Sequence, residues 1–535
     1  MDIYADNSGE KTFFSIIYKM LGELDERGRF DTETLHQLKC TYQKLTEEKQ
    51  EKCLGMLYEM MRDNYAAVIY LTAVILRETG DKKALRYVIR LLASEEYPLW
   101  ERLNDSSQLR MYLFTGNPFR ENEAYDGLKR VYEGFIKEIQ YKINHFLPFV
   151  PFEKRTKKVI LVASQLINKY HAPTTYVRRI CSCLEKMGYE AECFVCHFYG
   201  VDGYWNWNKG FYSQNFMHET GSFEQIFENE KIKGYNLELH GADYIETLRS
   251  AVCMIWEKKP EYVLEVGSET ILAGLCREFT TTVTMGMTGA LPVTNSSLIV
   301  SLSEDFQEEQ KLWKTLLDKE QKAISVRFTV HDQKAQKAES TCQKRDFGIS
   351  EDAFVIIIAG NRLDLEIKES FEEVLYQILE QEKHFVMAVI GKCPELEKRI
   401  LKGKWADRFY FLGHQPDFRG AVGIGDVFVN PPRQGGGTGG MFAIMEEVPV
   451  ITLDHCDVEE NAGKEFVCNS IEEMPELVYK YYTDKEFMDR QKANCRKNAM
   501  AKTNIDNEAE LWKIHDAVKE YAASGAVRQV GGTGK

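Results

Sequence analysis

The chain has 535 residues, 44% of them hydrophobic, and a formal net charge of −14. This length predicts about three domains, and the apolar content is sufficient for buried cores, which indicates a globular protein and excludes a disordered one. The excess of acidic over basic residues predicts that the protein has no nucleic-acid partner, because contacts with phosphate groups need clustered basic residues. The start, Met1 to Asp6, lacks a secretion signal, no apolar run reaches the roughly 18 residues of a membrane span, and the 13 cysteines show no framework spacing. These features predict a cytoplasmic protein without a transmembrane segment.

Residues 1–150 are predicted to form an all-α domain. Apolar residues recur there at helical spacing, as in the sets Leu85, Val88, Ile89, Leu92 and Val131, Phe135, Ile139, Ile143. Gly80-Asp81 supplies turn chemistry between helices, and no clean 34-residue repeat is present. The packing of these helices is left open.

From residue 158 onward, short apolar runs alternate with amphipathic segments, which is typical of a parallel sheet covered by helices. A helix is predicted over His171 to Met187. The predicted strands are Val159–Ala163, Glu190–His197, Tyr262–Val266, Thr281–Met285 and Leu298–Leu302. Residues 151–335 are therefore predicted to form a first Rossmann-like domain.

Two features of this domain have competing interpretations. The aromatic insert at residues 199–216 either packs on its own domain, which we favour, or forms a binding surface for peptides or sugars. Cys193, Cys196 and His197 match a haem-attachment spacing, but they fall in a predicted buried strand without a second ligand pair. They are therefore assigned to the core.

Residues 346–521 are predicted to form a second Rossmann-like domain after a polar linker at residues 332–345, and residues 522–535 a flexible tail. The predicted strands are Phe354–Ile358, Phe385–Ile390, Phe409–Leu412, Asp426–Val429 and Pro449–Leu453. The fold class is thus α/β, with two tandem doubly wound domains preceded by helices.

A glycine-rich loop follows the predicted strand that ends at Val429, and a helix and another strand follow the loop. Strand, glycine loop and helix together present backbone amides and a helix N-terminus to a phosphate group. Arg433 adds a cation and Thr438 a hydroxyl donor. The loop is therefore predicted to bind a diphosphate through Arg433, Gly435, Gly436, Gly437, Thr438 and Gly439.

Other polar residues follow neighbouring predicted strands of the same domain. Arg362 and Lys368 follow the first strand and are predicted to neutralise the same diphosphate. His414 and Gln415 follow another strand and are predicted to contact a flat base. Ligands of doubly wound sheets bind outside the carboxyl ends of the strands, so a cleft between the two domains is predicted to hold the ligand.

These motifs resemble the donor domain of GT-B glycosyltransferases. The resemblance covers about residues 155 to 520, and within this fold the chain is most similar to bacterial family 41 protein N-glucosyltransferases, with family 4 as second choice. The residues that carry it are Gly360-Asn361-Arg362, Lys368, Phe411-Leu412-Gly413-His414, Asn430-Pro431, Gly435-Gly436-Gly437-Thr438 and Pro449-Val450.

The sequence departs from both families at the carboxylates near the loop. Gln434 and Phe442 stand where family 4 has two glutamates, and Phe442 falls near the carboxylate that family 41 places on the donor ribose. Glu446, one turn further on, is the predicted replacement for the ribose contact. His171 resembles the acceptor-side histidine of these families, so it is the predicted catalytic residue, although a role beside the helix N-cap is equally open.

The resemblance implies a nucleotide-sugar-dependent hexosyltransferase. Such an enzyme would transfer a hexose or N-acetylhexosamine from a UDP-type donor to a protein or glycan acceptor, with the helical domain holding the acceptor. No metal and no cofactor are expected, because fixed amides and cations can stabilise the leaving diphosphate. Two alternatives stay open. One is a catalytically silent GT-B partner that recognises the acceptor; the other is a sugar-nucleotide 2-epimerase, for which the helical domain has no evident use.

Overall fold

The structure is a computed structural model that describes residues 8–23, 32–116, 122–144, 146–167, 171–196, 207–208, 220–227, 230–237, 239, 243–287, 291–302, 306–331, 342–454 and 456–524. The predictions for Met1–Asp6, His197, most of the linker, most of the aromatic insert and residues 525–535 of the tail fall outside these ranges. No helix in the described ranges is both long and apolar enough to span a bilayer.

The N-terminal region is helical, as predicted. Its helices are α1 (Ser8–Glu23), α2 (Thr32–Gln43), α3 (Glu47–Met61), α4 (Tyr65–Thr79), α5 (Lys82–Ala93), α6 (Leu99–Gly116) and α7 (Asn122–Ile143). Their hydrophobic core continues into the next domain, because Leu92 and Ile136 belong to one buried cluster with Ile160, Ile255 and Leu272. Removing the helices would expose this cluster to water, at a cost that grows with the apolar area exposed.

The first sheet is built from strands β1–β8. They are β1 (Thr156–Ala163), β2 (Glu190–Val195), β3 (Gly221–Phe227), β4 (Glu230–Asn236), β5 (Pro260–Val266), β6 (Thr282–Met285), β7 (Leu298–Ser301) and β8 (Lys322–Ser325). Their order is β3-β4-β2-β1-β5-β6-β7-β8, and only β3 runs antiparallel to its neighbour. The β3–β4 hairpin was not predicted; its strands are polar and lie at the edge of the sheet, where one face stays in water.

Helices α8 (Ala172–Lys186), α9 (Tyr244–Lys258), α10 (Ile271–Cys276) and α11 (Phe306–Trp313) connect these strands. The strand order reverses between β1 and β5, so the carboxyl ends of these two strands form the topological switch point of the first sheet.

The second sheet is entirely parallel, with the order β11-β10-β9-β12-β13-β14. Its strands are β9 (Phe354–Ala359), β10 (Phe385–Ile390), β11 (Phe409–Gly413), β12 (Val427–Val429), β13 (Val450–Leu453) and β14 (Val467–Cys468). Its helices are α12 (Leu363–Glu366), α13 (Glu369–Gln381), α14 (Pro394–Ile400), α15 (Phe418–Gly423), α16 (Gly437–Met445) and α17 (Asp457–Ala462). The predicted fold class is confirmed: two tandem Rossmann-like domains follow a helical region.

Three helices complete the chain, namely α18 (Met474–Thr483), α19 (Lys485–Thr503) and α20 (Asn507–Ala523). The last of them packs on the first sheet, because Leu511, Ile514 and Val518 belong to the buried cluster beneath that sheet. His515 Nδ1 lies 2.6 Å from Glu261 Oε1, beside β5. The end of the chain thus returns to the first domain.

Two residues of the aromatic insert are described, and both are buried against α6. Trp207 Nε1 donates to Asp105 Oδ1 at 3.2 Å, and the Asn208 amide donates to Gln108 Oε1 at 3.1 Å. Cys193 and Cys196 are also buried, with Cys193 in β2. At these positions the chain packs internally, in agreement with the favoured interpretation.

We expect Leu511→Ala to destabilise the first domain more than the second. The fully buried Leu511 side chain belongs to the core beneath the first sheet, and truncating such a leucine costs about 2–5 kcal/mol. Hydrogen exchange should show protection lost first in β1 and α8. Met500→Ala, at a 64% exposed position, is the matched control. Earlier loss of protection in β9 and β10 would contradict this packing.

Candidate functional site

The predicted diphosphate residues gather at the switch point of the second sheet, between β9 and β12. Arg362 follows β9 after two residues, and the glycine loop follows β12 and leads into α16. A side chain added at Gly435 would come within 3.0 Å of Arg362 Nη2, so the two segments lie in contact. The local sequence explains this, since both chain segments leave adjacent parallel strands at the same edge of the sheet.

Arg433 is buried at the centre of this region. Its guanidinium donates to Glu366 Oε2 at 2.7 Å, to the Ala359 carbonyl at 2.7 Å and to Asn430 Oδ1 at 2.8 Å. Arg362 Nε donates to the other Glu366 oxygen at 3.1 Å. The structure therefore places Arg433 as a tether between the loop and β9, and its predicted direct phosphate contact stays a prediction.

The charge of Glu366 depends on these two arginines. Burial alone would raise the pKa of this carboxyl, but Arg433 and Arg362 outweigh that effect and hold the pKa of Glu366 below its ordinary value. The carboxylate is therefore ionised at neutral pH, and it fixes both guanidinium groups by charge-assisted hydrogen bonds.

The glycines of the loop are needed mainly for close packing. Gly436 has φ of +103°, and a Cβ there would lie 2.6 Å from Arg433 Nη2. Gly437 is buried, and a Cβ there would lie 2.6 Å from Asn461 Nδ2 and 3.0 Å from Asp457 Cβ. Substitution of Gly437 would thus disturb α17 as well as any bound anion.

The start of α16 keeps the anion-binding geometry that the sequence predicts. The helix begins at Gly437, so the first-turn amides of Gly437 and Thr438 have no acceptor within the helix. Thr438 is exposed beside them, while Gly439 packs against the Phe428 ring. These amides and the Thr438 hydroxyl are donors of the kind that bind phosphate groups at helix N-termini.

The helical region also contributes to the site, which the sequence did not predict. The Arg362 guanidinium lies over the ring of Phe114, near the end of α6, at 4.9 Å from its centroid. A side chain at Gly435 would come within 3.1 Å of the same ring. Lys368 stands at the N-cap of α13 near Arg77 and Glu78 of α4, and desolvation lowers its pKa, with Glu78 opposing that shift.

His171 reaches the same cleft from the first domain. It is the N-cap residue of α8, and its Nδ1 lies 3.3 Å from Thr174 Oγ1 without a bond to the helix backbone. Burial is the main cause that lowers the pKa of His171 to about 4, and the charge of Arg362 adds to it. The imidazole is therefore neutral at physiological pH and lies within electrostatic range of the diphosphate residues.

The predicted base contacts lie toward the edge of the second sheet. His414 is exposed after β11, and Gln415 Nε2 donates to the Leu412 carbonyl at 2.5 Å. Because β11 is two strands from β9, these residues lie about 10 Å from the switch point. That separation is on the scale of a nucleotide, and the contact stays a prediction.

The predicted ribose contact lies at the opposite end of α16. Glu446 caps the C-terminus of this helix and forms an ion pair with Arg419, about 13 Å along the axis from Gly437. Asp457, in contrast, lies against Gly437 and is a carboxylate that the sequence analysis overlooked. Its signal was its position shortly after the β13 strand.

A second overlooked carboxylate lies at the switch point of the first sheet. Glu269 follows β5 and forms an ion pair with Arg110 of α6, with Nε 3.1 Å from Oε2. Burial raises the pKa of Glu269 to about 7, against the opposing charge of Arg110 and with a contribution from Glu265. Its position shortly after β5 was the same signal as that of Asp457, but the groups that surround its side chain come from distant helices.

Among the described residues, no three His, Cys, Asp or Glu side chains come together as a metal site. The predicted independence of metals and cofactors stays a prediction.

Comparisons with known proteins give structural neighbours only. No family model and no curated protein matches the chain. An O-GlcNAc transferase mutant from Thermobaculum terrenum aligns over 98% of this chain and 100% of its own, with 12% identity and a TM-score of 0.49. Anabaena Alr3699/HepE, solved with UDP and glucose, aligns over 68% of this chain and 99% of its own, with 12% identity and a TM-score of 0.47. The pneumococcal O-GlcNAc transferase GtfA, solved with UDP and GlcNAc, aligns over 68% of this chain and 99% of its own, with 10% identity and a TM-score of 0.45. The choice between family 41 and family 4 stays a prediction.

We expect Arg433→Met to lower the free energy of unfolding by about 3–5 kcal/mol, because it leaves the buried Glu366 without its main partner. In the parent, this ion pair contributes its full stabilisation above the ordinary glutamate pKa of about 4.3. The stabilisation is lost as the pH falls through the pKa of Glu366 in the folded protein, which is lower. The difference in the free energy of unfolding between the parent and the variant should therefore decrease at acidic pH. Denaturant unfolding at pH 7 and at about pH 3 measures it, and an additional Glu366→Gln change should restore part of the stability. A constant deficit would show that Glu366 is not the cause.

Proposed function

We propose that this protein is a hexosyltransferase that moves a hexose or N-acetylhexosamine from a UDP-type nucleotide sugar to a protein or glycan acceptor in the cytoplasm. The observation that carries the proposal is the convergence of Arg362, the glycine loop and His171 in one cleft. The first two belong to the switch point of the second sheet, and the third comes from the facing domain.

The charges in the cleft favour a diphosphate leaving group. Arg362 and Arg433 share one buried carboxylate, Glu366, so these two cations exceed their common partner by one positive charge. Lys368 lies within electrostatic range of both Glu78 and Glu366. The amides that open α16 add donors that do not need to reorganise during the reaction. Such a site stabilises the charge that develops on the diphosphate as the glycosidic bond breaks.

His171 is proposed to act in its neutral form. Its low pKa makes the imidazole a weak base but an effective hydrogen-bond partner for an acceptor or donor hydroxyl group. We propose this orienting role for His171, and Asp457 or Glu446 as the ribose contact.

The second candidate is the catalytically silent partner, and specific contacts favour it. Phe114 stacks on Arg362 and lies against Gly435, while three protein acceptors already occupy Arg433. Phe442, at the position of the missing carboxylate, packs against Phe418 and His331. A protein with these features could recognise an acceptor without turning over a donor.

Nucleotide binding separates the two candidates. Isothermal titration with UDP should show binding by the parent, and Arg362→Ala should weaken it by about 1.5–3 kcal/mol, the usual contribution of a charged hydrogen bond. The matched control is Arg399→Ala, since Arg399 also pairs with a glutamate of this domain, Glu372, but lies outside the cleft. Released UDP from a panel of UDP-sugars then measures turnover. Absence of UDP binding by the parent would reject the transferase and favour the silent partner.

His171→Asn should lower turnover while UDP affinity stays unchanged, because the proposed role concerns orientation of the reacting groups. Since the pKa of His171 is about 4, its protonation should affect activity only near that pH and not near 6.5. Activity of the parent and variant between pH 3.5 and 8 tests this. Equal turnover in the two proteins at pH 7, with equal melting temperatures, would remove His171 from the mechanism.

A further inference from the structure

A small cavity lies at the switch point of the first sheet, beneath the helical region. It has a volume of about 30 Å³, which is room for one or two water-sized groups. Ser164, at the end of β1, Cys196, after β2, and Glu269, after β5, form its floor. Its roof comes from α6 and α7 and includes Ser106 and Arg110. Doubly wound sheets bind ligands at this position, and the diphosphate site occupies the corresponding position of the second sheet.

The segment that carries Glu269 is held rigidly. The Glu269 amide donates to the Val293 carbonyl at 3.0 Å, and its backbone is left-handed, with φ of +58°. On either side, the Ser268 carbonyl accepts from Arg110 at 2.9 Å and the Thr270 carbonyl accepts from Tyr132 at 3.1 Å. A left-handed backbone at a residue other than glycine is unfavourable, and it persists here because the contacts on both sides fix it.

Helix α6 connects this cavity to the diphosphate site. Arg110 contacts Glu269, and Phe114, four residues later on the same helix, contacts Arg362 and Gly435. Four residues correspond to a rise of about 6 Å. The carboxylate and the diphosphate residues therefore both contact α6, at positions roughly one helical turn apart along its axis.

We propose that Glu269 is the catalytic base of the transfer and that the cavity beside it receives the hydroxyl group of the acceptor. This inference rests on the proposed glycosyl transfer. In the reaction, the acceptor oxygen forms a bond to the anomeric carbon as the bond from that carbon to the donor phosphate oxygen breaks. The electron pair of the broken bond stays with the diphosphate, and the hydroxyl proton passes to a Glu269 oxygen. A single displacement of this kind inverts the anomeric configuration.

The groups around Glu269 suit it for this step. Arg110 faces the carboxylate from α6, Glu265 from the same strand end, and Tyr132 and Tyr125 from α7. Burial raises the pKa values of both tyrosines, so neither competes for the proton at neutral pH. Glu269 itself has a pKa of about 7, where a base accepts a proton readily yet is largely available at physiological pH. His171, with a pKa of about 4, is less suited to receive it.

The test compares Glu269→Gln with the parent, using UDP-GlcNAc and UDP-glucose as donors and a library of serine-containing peptides as acceptors. We expect kcat for peptide transfer, expressed per folded protein, to fall by at least about 100-fold with UDP affinity unchanged. The loss of the Arg110 ion pair lowers the melting temperature as well, so the folded fraction is measured on the same preparation. The parent should lose activity as pH falls through about 7, because protonation disables the base, and this decline should be absent in Glu269→Gln and retained in His171→Asn. Glu246→Gln, on the exposed face of α9, is the matched control and should behave as the parent.

A second variant tests the cavity without changing the charge. Ser106→Val adds volume to the roof and should reduce peptide transfer while UDP affinity is retained. The inference would be overturned if Glu269→Gln transferred sugar to peptides normally, or if its activity still declined near pH 7. A product with retained anomeric configuration would overturn it as well. Failure of the parent to bind UDP would instead reject the proposed function itself. Binding of UDP by the parent without transfer to any hydroxyl-bearing peptide would overturn the inference that the cavity receives an acceptor hydroxyl group.

Discussion

The buried contact of Glu366 with Arg433 and Arg362 holds the candidate site together. The Glu366 side chain is 1% exposed, and its carboxylate connects the segment after β9, the glycine loop and Arg362. Removing one partner from such a cluster leaves a charge in a low-dielectric environment, which is far more costly than the loss of a surface ion pair. The positions of the loop, of Arg362 and of the start of α16 all depend on this contact.

Close packing around this contact explains the glycines of the loop. Glycine at 436 leaves space for the Arg433 guanidinium, and glycine at 437 allows α17 to approach. The loop is therefore a packed element and not a flexible one. The first-turn amides of α16 and the exposed Thr438 are the donors that still match the predicted anion-binding role of the loop.

Helix α6 is the second organising element, and its composition is unusual for a buried helix. Arg102, Asp105 and Gln108 are almost fully buried along it, and each has protein partners. The partners include Glu138 of α7 and, from the insert, Trp207 and Asn208. Further along, Arg110 and Phe114 bring the helix to both switch points. Because a buried polar group is costly unless it is hydrogen-bonded, this polar face indicates a helix fixed in one position between the two domains.

The sequence by itself determined the order of most elements, because apolar periodicity and turn residues are local signals, but the polar β3–β4 hairpin lacks that periodicity and was missed. It predicted the parallel strands, the helical N-terminal region and the strand–loop–helix unit around Gly437. Only the tertiary structure decided which charges meet. Arg433 pairs with Glu366 across 67 residues and Arg110 with Glu269 across a still longer stretch, and no local pattern encodes such pairs. The pKa values of His171 and Glu269 likewise come from burial by distant segments, so the assignment of acid–base roles depended on the packed fold.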